Sequence, residues 1–277
     1  MRIVMSCFGR LALSALLVVG AARLAPAAAQ DGATKPAGPP KIEPKVLAIL
    51  HAACDTLGSA RTMSFTAVDT YQRNARNGQP LFYTVLSHVT LQRPDKLRVI
   101  RPGDGVPDEF YYDGNTMMAF VPSANLVAIA KAPPTIDQML DAAWDIGAIY
   151  FPFADVIVSR PCEVFDKNLK SAFYVGQSVV VGRTTTDIVA IEGDNVQAEL
   201  WIGAADHLPR MVRVTYPNEP AHALYQTDYS DWKLNMPVDM TAFSSSRAQA
   251  AKRMAFAPPP AESPRPAAGR PPPAKQP

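Results

Sequence analysis

Residues 81–131 read LFYTVLSHVTLQRPDKLRVIRPGDGVPDEFYYDGNTMMAFVPSANLVAIAK, a stretch in which short strand-like runs are separated by turns. Apolar residues recur at every second position from 81 to 91, as in a strand with one buried face. Asp113 and Gly114 separate two further apolar runs and are typical of a tight β-hairpin. This stretch therefore predicts the centre of an antiparallel sheet.

Helical patterns occur on both sides of this stretch. Pro44 suits the first turn of a helix, and apolar residues recur at steps of three and four from 46 to 57. Thr135 is placed to cap a second amphipathic helix, which extends to Trp144. Further strand-like runs fill residues 173–232. Strands, a helical insert and then more strands indicate an α+β fold.

The N-terminus is typical of an exported protein. Arg2 and Arg10 precede the apolar run 11–20, and alanines follow Pro26 at the position of a signal-peptidase site. We expect residues 1–29 to be a signal peptide that is cleaved after Ala29, which places the protein in the periplasm. The alternative is an uncleaved anchor, but the apolar run is short for a transmembrane helix.

Composition predicts the remaining domain boundaries. Residues 30–43 are rich in proline and glycine and are expected to form a disordered linker. Residues 257–277 contain nine prolines, so we expect a disordered tail without a core. A single folded domain is predicted for residues 44–256.

The charge balance argues against a nucleic-acid partner. Cleavage after Ala29 would remove Arg2, Arg10 and Arg23 and no acidic residue, so 24 basic residues would remain beside 25 acidic ones. A chain so close to neutral lacks the basic surface that binds phosphates. We expect a monomer that binds no nucleic acid.

Two cysteines remain in the mature chain, Cys54 and Cys162. The periplasm permits a disulfide between them. Two buried free thiols are the alternative, and the sequence by itself leaves both open because it does not show whether the two backbones approach each other.

No catalytic or metal-binding motif is recognisable in the sequence. It has no nucleophile elbow, phosphate-binding loop, paired zinc-spacing cysteines or zinc-protease helix. His51, His88, His207 and His222 are scattered singly, and a catalytic base needs a positioned partner. We expect a protein that is not an enzyme and that needs no cofactor or metal.

Seven segments in order resemble the DUF2092 family of predicted periplasmic proteins. They are the first helix at 47–57, RPDKLRV at 93–99, FYYDG at 110–114, TIDQMLD at 135–141, YVG at 174–176, LWI at 200–202 and LPR at 208–210. More distantly, the family is similar to the LolA/LolB superfamily of lipoprotein carriers. The resemblance implies a strongly curved antiparallel sheet, a half-barrel, with helices covering its concave face over an apolar cavity.

An apolar cavity in such a fold would be lined from both layers. The candidate ligand-binding residues on the strands and the second helix are Phe65, Tyr83, Val85, Leu97, Val99, Met139, Leu140 and Trp144. An ordinary filled core is the alternative, since apolar, aromatic and methionine side chains serve both purposes.

Two functions follow from the resemblance. The first is a periplasmic binding protein for an acyl chain, a lipid or a lipoprotein. The second is an envelope interaction or sensor module that docks a protein partner, as the resemblance to a periplasmic regulator of the sigma-E stress response implies. An enclosed cavity favours the first, and an exposed apolar patch favours the second.

Overall fold

The structure is a computed structural model that describes residues 42–103, 105–218 and 224–258. The predicted signal peptide, nearly all of the predicted linker and nearly all of the proline-rich tail lie outside these ranges. Among the described residues, no helix is both long enough and apolar enough to cross a membrane.

The described residues form twelve strands and several short helices. The strands are β1 Thr62–Asn74, β2 Pro80–Gln92, β3 Lys96–Arg101, β4 Asp108–Tyr112, β5 Thr116–Val121, β6 Leu126–Lys131, β7 Ser171–Ser178, β8 Thr186–Glu192, β9 Gln197–Gly203, β10 Pro209–Thr215, β11 Leu224–Leu234 and β12 Lys252–Met254. The helices are α1 Pro44–Ser59, α2 Ile136–Gly147, α3 Ala154–Ile157, α4 Cys162–Asn168 and α5 Ser246–Ala250, with 3-10 turns at Val181–Arg183 and Met240–Phe243.

All twelve strands belong to one open, curved sheet in the order β12-β6-β5-β4-β3-β2-β1-β11-β10-β9-β8-β7. Hairpins connect most neighbours, and β1 joins the two halves because it pairs with both β2 and β11. The prediction of an antiparallel sheet is confirmed for eleven strands. It misses β12, which pairs in parallel with β6, because three residues are too short to show a period.

The hairpin predicted at Asp113 and Gly114 connects β4 and β5. The Asp113 carboxylate accepts hydrogen bonds from the backbone nitrogens of Asn115 and Thr116, at 3.0 and 2.8 Å. Gly114 has φ +92°, and a Cβ there would lie 2.5 Å from the Asp95 carboxylate. Glycine is therefore required both by the backbone conformation and by the close approach of Asp95.

Helix α2 begins where its sequence predicts. The Thr135 hydroxyl accepts a hydrogen bond from the backbone nitrogen of Gln138 at 3.3 Å, which satisfies one of the free donors of the first turn. Ala148 follows in the left-handed conformation and its backbone nitrogen bonds back to the Trp144 carbonyl at 2.8 Å. The helix is thus capped at both ends.

Arg93, the first residue of the RPDKLRV segment, connects three elements through its guanidinium. It donates hydrogen bonds to the carbonyl oxygens of Ile157 at 2.8 Å, Ala60 at 3.2 Å and Leu57 at 3.4 Å. Burial lowers the pKa of Arg93, and nearby Asp137 partly opposes this change. The end of β2 therefore holds the ends of α1 and α3 in place.

The described residues form three apolar clusters on the sheet, and two of them involve α1, α2 and α3. One combines side chains of β1–β5 with the buried face of α2 and with α3, including Leu97, Val99 and Met139. The other places the first half of α1 against β7–β9, including Val46, Leu50 and Val189. Leu57, near the end of α1, belongs to the first cluster, so α1 extends from one cluster to the other.

The structure joins Cys54 of α1 to Cys162 of α4 in a disulfide, with the two Cα atoms 5.6 Å apart. Of the two possibilities that the sequence leaves open, a disulfide and two free thiols, the structure has the disulfide. The bond fastens α1 to the segment that follows α3 and closes a separation of 108 residues.

Candidate functional site

A cavity of about 810 Å³ lies between α1 and the strands β1 and β9–β11. One wall is the face of α1 that carries Leu50, Ala53, Cys54 and Leu57. These positions are three, four and seven residues apart and therefore share one side of a helix. The spacing that makes α1 amphipathic also makes it an apolar wall.

The facing wall consists of aliphatic residues from two paired strands. Leu200 and Ile202 of β9 and Val212 and Val214 of β10 line the cavity. Residues two apart in a strand point to the same side of the sheet, and Leu200 lies opposite Val212 in the register of the pair. The four side chains thus form a continuous apolar surface.

Aromatic side chains in pairs form another part of the lining. Ring centroids are 5.6 Å apart in Tyr71–Tyr83, 5.5 Å in Tyr216–Tyr225 and 6.3 Å in Trp144–Tyr150. Trp144 is 58% exposed and Tyr150 is 62% exposed. We call these six residues the aromatic border. Their rings offer apolar surface, and their hydroxyl and indole groups offer hydrogen bonds.

Arg73 is the cation of the aromatic border. Its guanidinium carbon lies 5.1 Å from the Tyr71 ring centroid and 5.9 Å from that of Tyr225. Its Nη1 also donates a hydrogen bond of 3.1 Å to the Tyr225 hydroxyl. The positive charge is therefore held against the rings near the end of β1.

The inner part of β1 carries a buried acid, Asp69. It alternates with Ala67 and Tyr71 on the inward face of the strand and is only 4% exposed. The Thr227 hydroxyl donates a hydrogen bond of 2.7 Å to its Oδ1, whereas no group in the described part of the chain donates to its Oδ2. Burial raises the pKa of Asp69 to about 6.

A second acid, Asp155 of α3, lines the cavity directly. Its side chain is exposed, but that surface faces the cavity, and the surrounding protein raises the pKa of Asp155 by desolvation. Although Tyr150 is largely exposed, desolvation by the surrounding protein and then the charge of Asp155 raise its pKa to about 12. The pKa of Tyr229 lies well above its usual value, chiefly through burial and then through Asp69 and Asp155. Both carboxylates therefore lie within electrostatic reach of the same phenols.

Arg101, the cation that acts on Asp69, is also engaged with other groups. Arg101 of β3 forms an ion pair of 3.3 Å with Asp108 and donates a hydrogen bond of 3.4 Å to the Tyr150 carbonyl oxygen. Its guanidinium also lies 5.4 Å from the centroid of the Phe151 ring. Its charge lowers the pKa of Asp69, but by less than burial raises it.

The structure divides the eight predicted lining residues into two groups. Tyr83 and Trp144 line the cavity, at its aromatic border. The other six do not: Phe65, Leu97, Val99 and Met139 are buried in the first apolar cluster, and Val85 and Leu140 are half-buried outside the lining.

Packing explains this difference. The segment after α2 inserts Phe151 and Phe153 between the helices and the sheet, so that Phe153 meets Phe65 with ring centroids 5.7 Å apart and Phe151 meets Phe110 at 5.1 Å. The space in front of β2–β4 is thereby filled. The open space lies instead in front of β9–β11.

Asp69, Asp155 and most of the aromatic border were not predicted from the sequence. One signal for Asp69 was present, since it interrupts the apolar alternation of Met63, Phe65 and Ala67 at an inward position. The tyrosines of β1 and β11 gave no such signal. Tyr71 and Tyr225 are opposite each other only because β1 pairs with β11 across the whole domain.

The described histidines lie outside the cavity lining. His51 bonds to Asp166 at 3.0 Å on the exposed surface, and His88 lies 3.4 Å from the Thr66 hydroxyl. His207 is in the turn before β10, and His222 lies outside the described residues. Within the described ranges, no three His, Cys, Asp or Glu residues are grouped closely enough to hold a metal ion.

Residues 47–257 match the profile of a protein family described as predicted periplasmic protein (DUF2092). The chain belongs to this family. The match covers the helix, sheet and cavity described above, and the resemblance drawn from the sequence segments is confirmed. Among curated proteins, none matches the chain.

Several solved structures are similar to this one. MucB, in the Pseudomonas aeruginosa MucA/MucB complex, has 15% sequence identity and a TM-score of 0.42, with 74% of this chain and 62% of MucB covered. LprF from Mycobacterium bovis has 15% identity and a TM-score of 0.44, covering 72% and 97%. A LolA superfamily protein from Nitrosomonas europaea has 12% identity and a TM-score of 0.33, covering 72% and 97%. The chain therefore spans less than two thirds of MucB.

Proposed function

We propose that this protein is a periplasmic binding protein that holds an acyl chain, as a lipid or as part of a lipoprotein, in the cavity between α1 and β9–β11, without chemical conversion. The observation that supports the proposal is the cavity itself. Its volume of about 810 Å³ lies within the range of roughly 300–1,000 Å³ that is usual for small-molecule sites. Its walls are mostly aliphatic and aromatic, and the polar groups among them are Arg73, Asp155, Thr227 and the tyrosine hydroxyls.

Burial of an acyl chain would supply the affinity. Each methylene removed from water contributes about 0.8 kcal/mol. Ten methylenes would contribute about 8 kcal/mol, from which the cost of association is subtracted. A micromolar dissociation constant, about 8 kcal/mol net, therefore requires a longer acyl chain or additional contacts.

Cover of the concave face by helices is part of the proposal. Helix α1 supplies one wall of the cavity, and α2 places Trp144 at the aromatic border. Gly147 and Ala148 end α2, and Pro133 and Pro134 precede it. Because Ile136, Met139 and Ala143 are buried in the first apolar cluster, we propose that only the Trp144 end of α2 covers the cavity.

The proposal is tested by recovering the ligand. Protein purified from the periplasm is analysed by native mass spectrometry and by lipid extraction, and we expect an apolar molecule to copurify. Val214→Trp fills the cavity from β10 and should abolish copurification. Val175→Trp is the matched control, because Val175 is an exposed strand valine outside the lining. Equal recovery from parent, variant and control would contradict the proposal.

Export is a further part of the proposal, supported by the description of the family as predicted periplasmic proteins. We propose cleavage of the signal peptide after Ala29 and a monomeric mature protein. Sequencing the N-terminus of the periplasmic protein should give Gln30 as its first residue. A chain that retains its first residues would contradict the cleavage site, and a dimer in light scattering would contradict the monomer.

Docking of a protein partner is the second candidate function, and the tip of the β1–β2 hairpin favours it. Leu81, Phe82 and Tyr83 are consecutive and exposed there, so apolar surface faces solvent on both sides of the strand. The pair of changes Leu81→Ser and Phe82→Ser should remove cross-linking to a periplasmic partner. The pair Val179→Ser and Val180→Ser, which is even more exposed in another loop, is the control. Cross-linking that survives both pairs would argue against docking at the hairpin.

A further inference from the structure

The far end of α2 carries an exposed aromatic pair beside acidic side chains. The ring centroids of Trp144 and Tyr150 lie 6.3 Å apart, and the two residues are 58% and 62% exposed. Asp141 and Asp145 are also exposed. Asp141 is three residues from Trp144 and four from Asp145, and residues at these spacings are neighbours on the surface of a helix. We call these four residues the α2-end surface.

The α2-end surface is negatively charged. Helix α2 contains three aspartates and no basic residue. Among the described residues, Asp141 and Asp145 have no ion-pair partner. Arg101, which donates a hydrogen bond to the Tyr150 carbonyl oxygen, is paired with Asp108. A basic segment would therefore complement the charge of this surface.

The proline-rich tail starts beside the α2-end surface. A Cβ added to Gly147 would lie 2.5 Å from the Phe256 ring, so this ring packs directly on the glycine. Phe256 is half-buried against the first apolar cluster, whereas Ala257 and Pro258 are exposed. Gly147 follows Trp144 by three residues, a rise of about 4.5 Å along a helix. Phe256 thus anchors the start of the tail close to Trp144.

The composition of the tail matches that of the surface. Residues 257–277 contain nine prolines, and proline-rich segments in the polyproline II conformation dock on aromatic side chains because they lose little conformational freedom. The tail also carries Arg265, Arg270 and Lys275, against Glu262 as its single acid. Its first proline run begins two residues after Phe256, about 6 Å in polyproline II, which brings the run within reach of the aromatic pair.

We propose that the proline-rich tail, residues 257–277, docks on the α2-end surface of its own chain. Its prolines contact the rings of Trp144 and Tyr150, and its basic residues lie near the two carboxylates. Both rings also belong to the aromatic border of the cavity, so the docked tail competes with a ligand at this border. The docking goes beyond the proposed function, whereas the competition rests on it.

Photo-cross-linking in the full mature chain tests the docking. A benzophenone amino acid replaces Ala261, and the peptides joined by irradiation are identified by mass spectrometry. We expect cross-links within one molecule to residues 141–150, and Trp144→Ala should reduce them severalfold. Phe82→Ala is the matched control and should leave them unchanged, because Phe82 is also 58% exposed but lies outside the cavity lining.

Two cross-linking results would overturn the proposal. One is a set of cross-links that avoids residues 141–150 or that Trp144→Ala leaves unchanged. The other is a set that joins two molecules, since it would show that the tail docks on a second copy of the chain.

Reversal of the tail charge tests the competition. Arg265→Glu, Arg270→Glu and Lys275→Glu are combined in the full chain, and binding of an apolar fluorescent probe is measured. A tether holds the tail at an effective concentration of about 1 mM. If the docked tail has a dissociation constant of about 0.1 mM, its release should tighten probe binding about tenfold. Arg265→Lys combined with Arg270→Lys keeps the charge and should leave the affinity unchanged.

The acids of α2 complete a double-mutant cycle. Asp141→Asn combined with Asp145→Asn should also tighten probe binding, and the gain should not add to that of the charge-reversed tail, because both changes break the same contact. Asp55→Asn is the matched control, since Asp55 is exposed on α1 outside the lining, and it should behave like the parent. Fully additive gains would overturn the pairing of the tail with these acids.

The outcomes separate the docking from the proposed function. A charge-reversed tail that changes neither probe affinity nor cross-linking overturns the docking, and probe binding by the parent would still uphold the cavity as a binding site. If the probe binds neither the parent nor the charge-reversed variant, the proposed function fails, and the cross-links still decide the docking.

Discussion

One sheet has two different inner surfaces. In front of β2–β5, the helices α2 and α3 and the rings of Phe151 and Phe153 fill the space, and Leu97 and Met139 have no exposed surface. In front of β9–β11, α1 faces the strands across a cavity of about 810 Å³. Both surfaces are apolar, so the kind of side chain on the sheet does not decide which becomes core. The difference lies in what the connecting segments place opposite the sheet.

The largest expected difference between the two halves comes from one change made in each. Leu97→Ala in the filled half should lower the free energy of unfolding by about 3–5 kcal/mol, because the void left behind cannot be filled. Leu200→Ala on the cavity wall should cost roughly half as much, since no new enclosed void forms there. Urea unfolding of both variants measures the difference. Equal costs would show that the cavity wall is packed as tightly as the core.

The disulfide holds α1, the helix that faces β9–β11 across the cavity. Cys54→Ala combined with Cys162→Ala releases α1 from α4 and should lower the free energy of unfolding by about 2–4 kcal/mol, chiefly by giving the unfolded chain more freedom. The parent protein in reductant should lose the same amount, and the double variant should not respond to reductant. The interpretation would be wrong if reduction left the parent unchanged while its thiols became accessible.

Asp69 should make stability depend on pH. Its folded pKa of about 6 exceeds the value of 3.8 expected without burial, so the folded state binds more protons between these values. The free energy of unfolding should therefore fall as the pH rises from about 4 to about 6 and stay level above that.

Asp69→Asn should remove this dependence. Above pH 6 the free energy of unfolding of the variant should exceed that of the parent by at most about 3 kcal/mol. Below pH 4 the variant should be no more stable than the parent. The other charged or titratable groups that act on Asp69 or respond to its charge are Arg101, Asp228, Tyr150 and Tyr229. Melting curves from pH 3.5 to 8, with Asp55→Asn as a control, provide the measurement. Parallel profiles for parent and Asp69→Asn would refute the assignment.

The smallest expected effect is at Trp144. The side chain is exposed and contacts Tyr150, so Trp144→Ala should cost less than about 1 kcal/mol, unlike a core tryptophan. Binding of an apolar probe should weaken instead. A loss of several kcal/mol in Trp144→Ala, with probe binding unchanged, would place Trp144 with the filled half after all.

The structural features that depend only on residues close together in the chain could be predicted from the sequence. The alternation of β2, the turn at Asp113 and Gly114 and the cap at Thr135 are local, and the structure has all three. The exposure of Trp144 could not be predicted from the local sequence. The sequence prediction placed it with Met139 and Leu140 in one lining, yet Met139 is buried and Trp144 is exposed, because the far end of α2 extends past the filled part of the core.

The α+β class, the family and the position of the main strands and helices follow from the sequence, because they depend on periods and turns within short segments. The tertiary structure brings Cys54 to Cys162, fills one half of the sheet with Phe151 and Phe153, and lines a cavity in front of the other half with Asp155 and six tyrosines. These outcomes depend on β1 pairing with β11 more than 150 residues away. Such long-range pairing determines which apolar surface is filled and which is left open, and no local pattern records it.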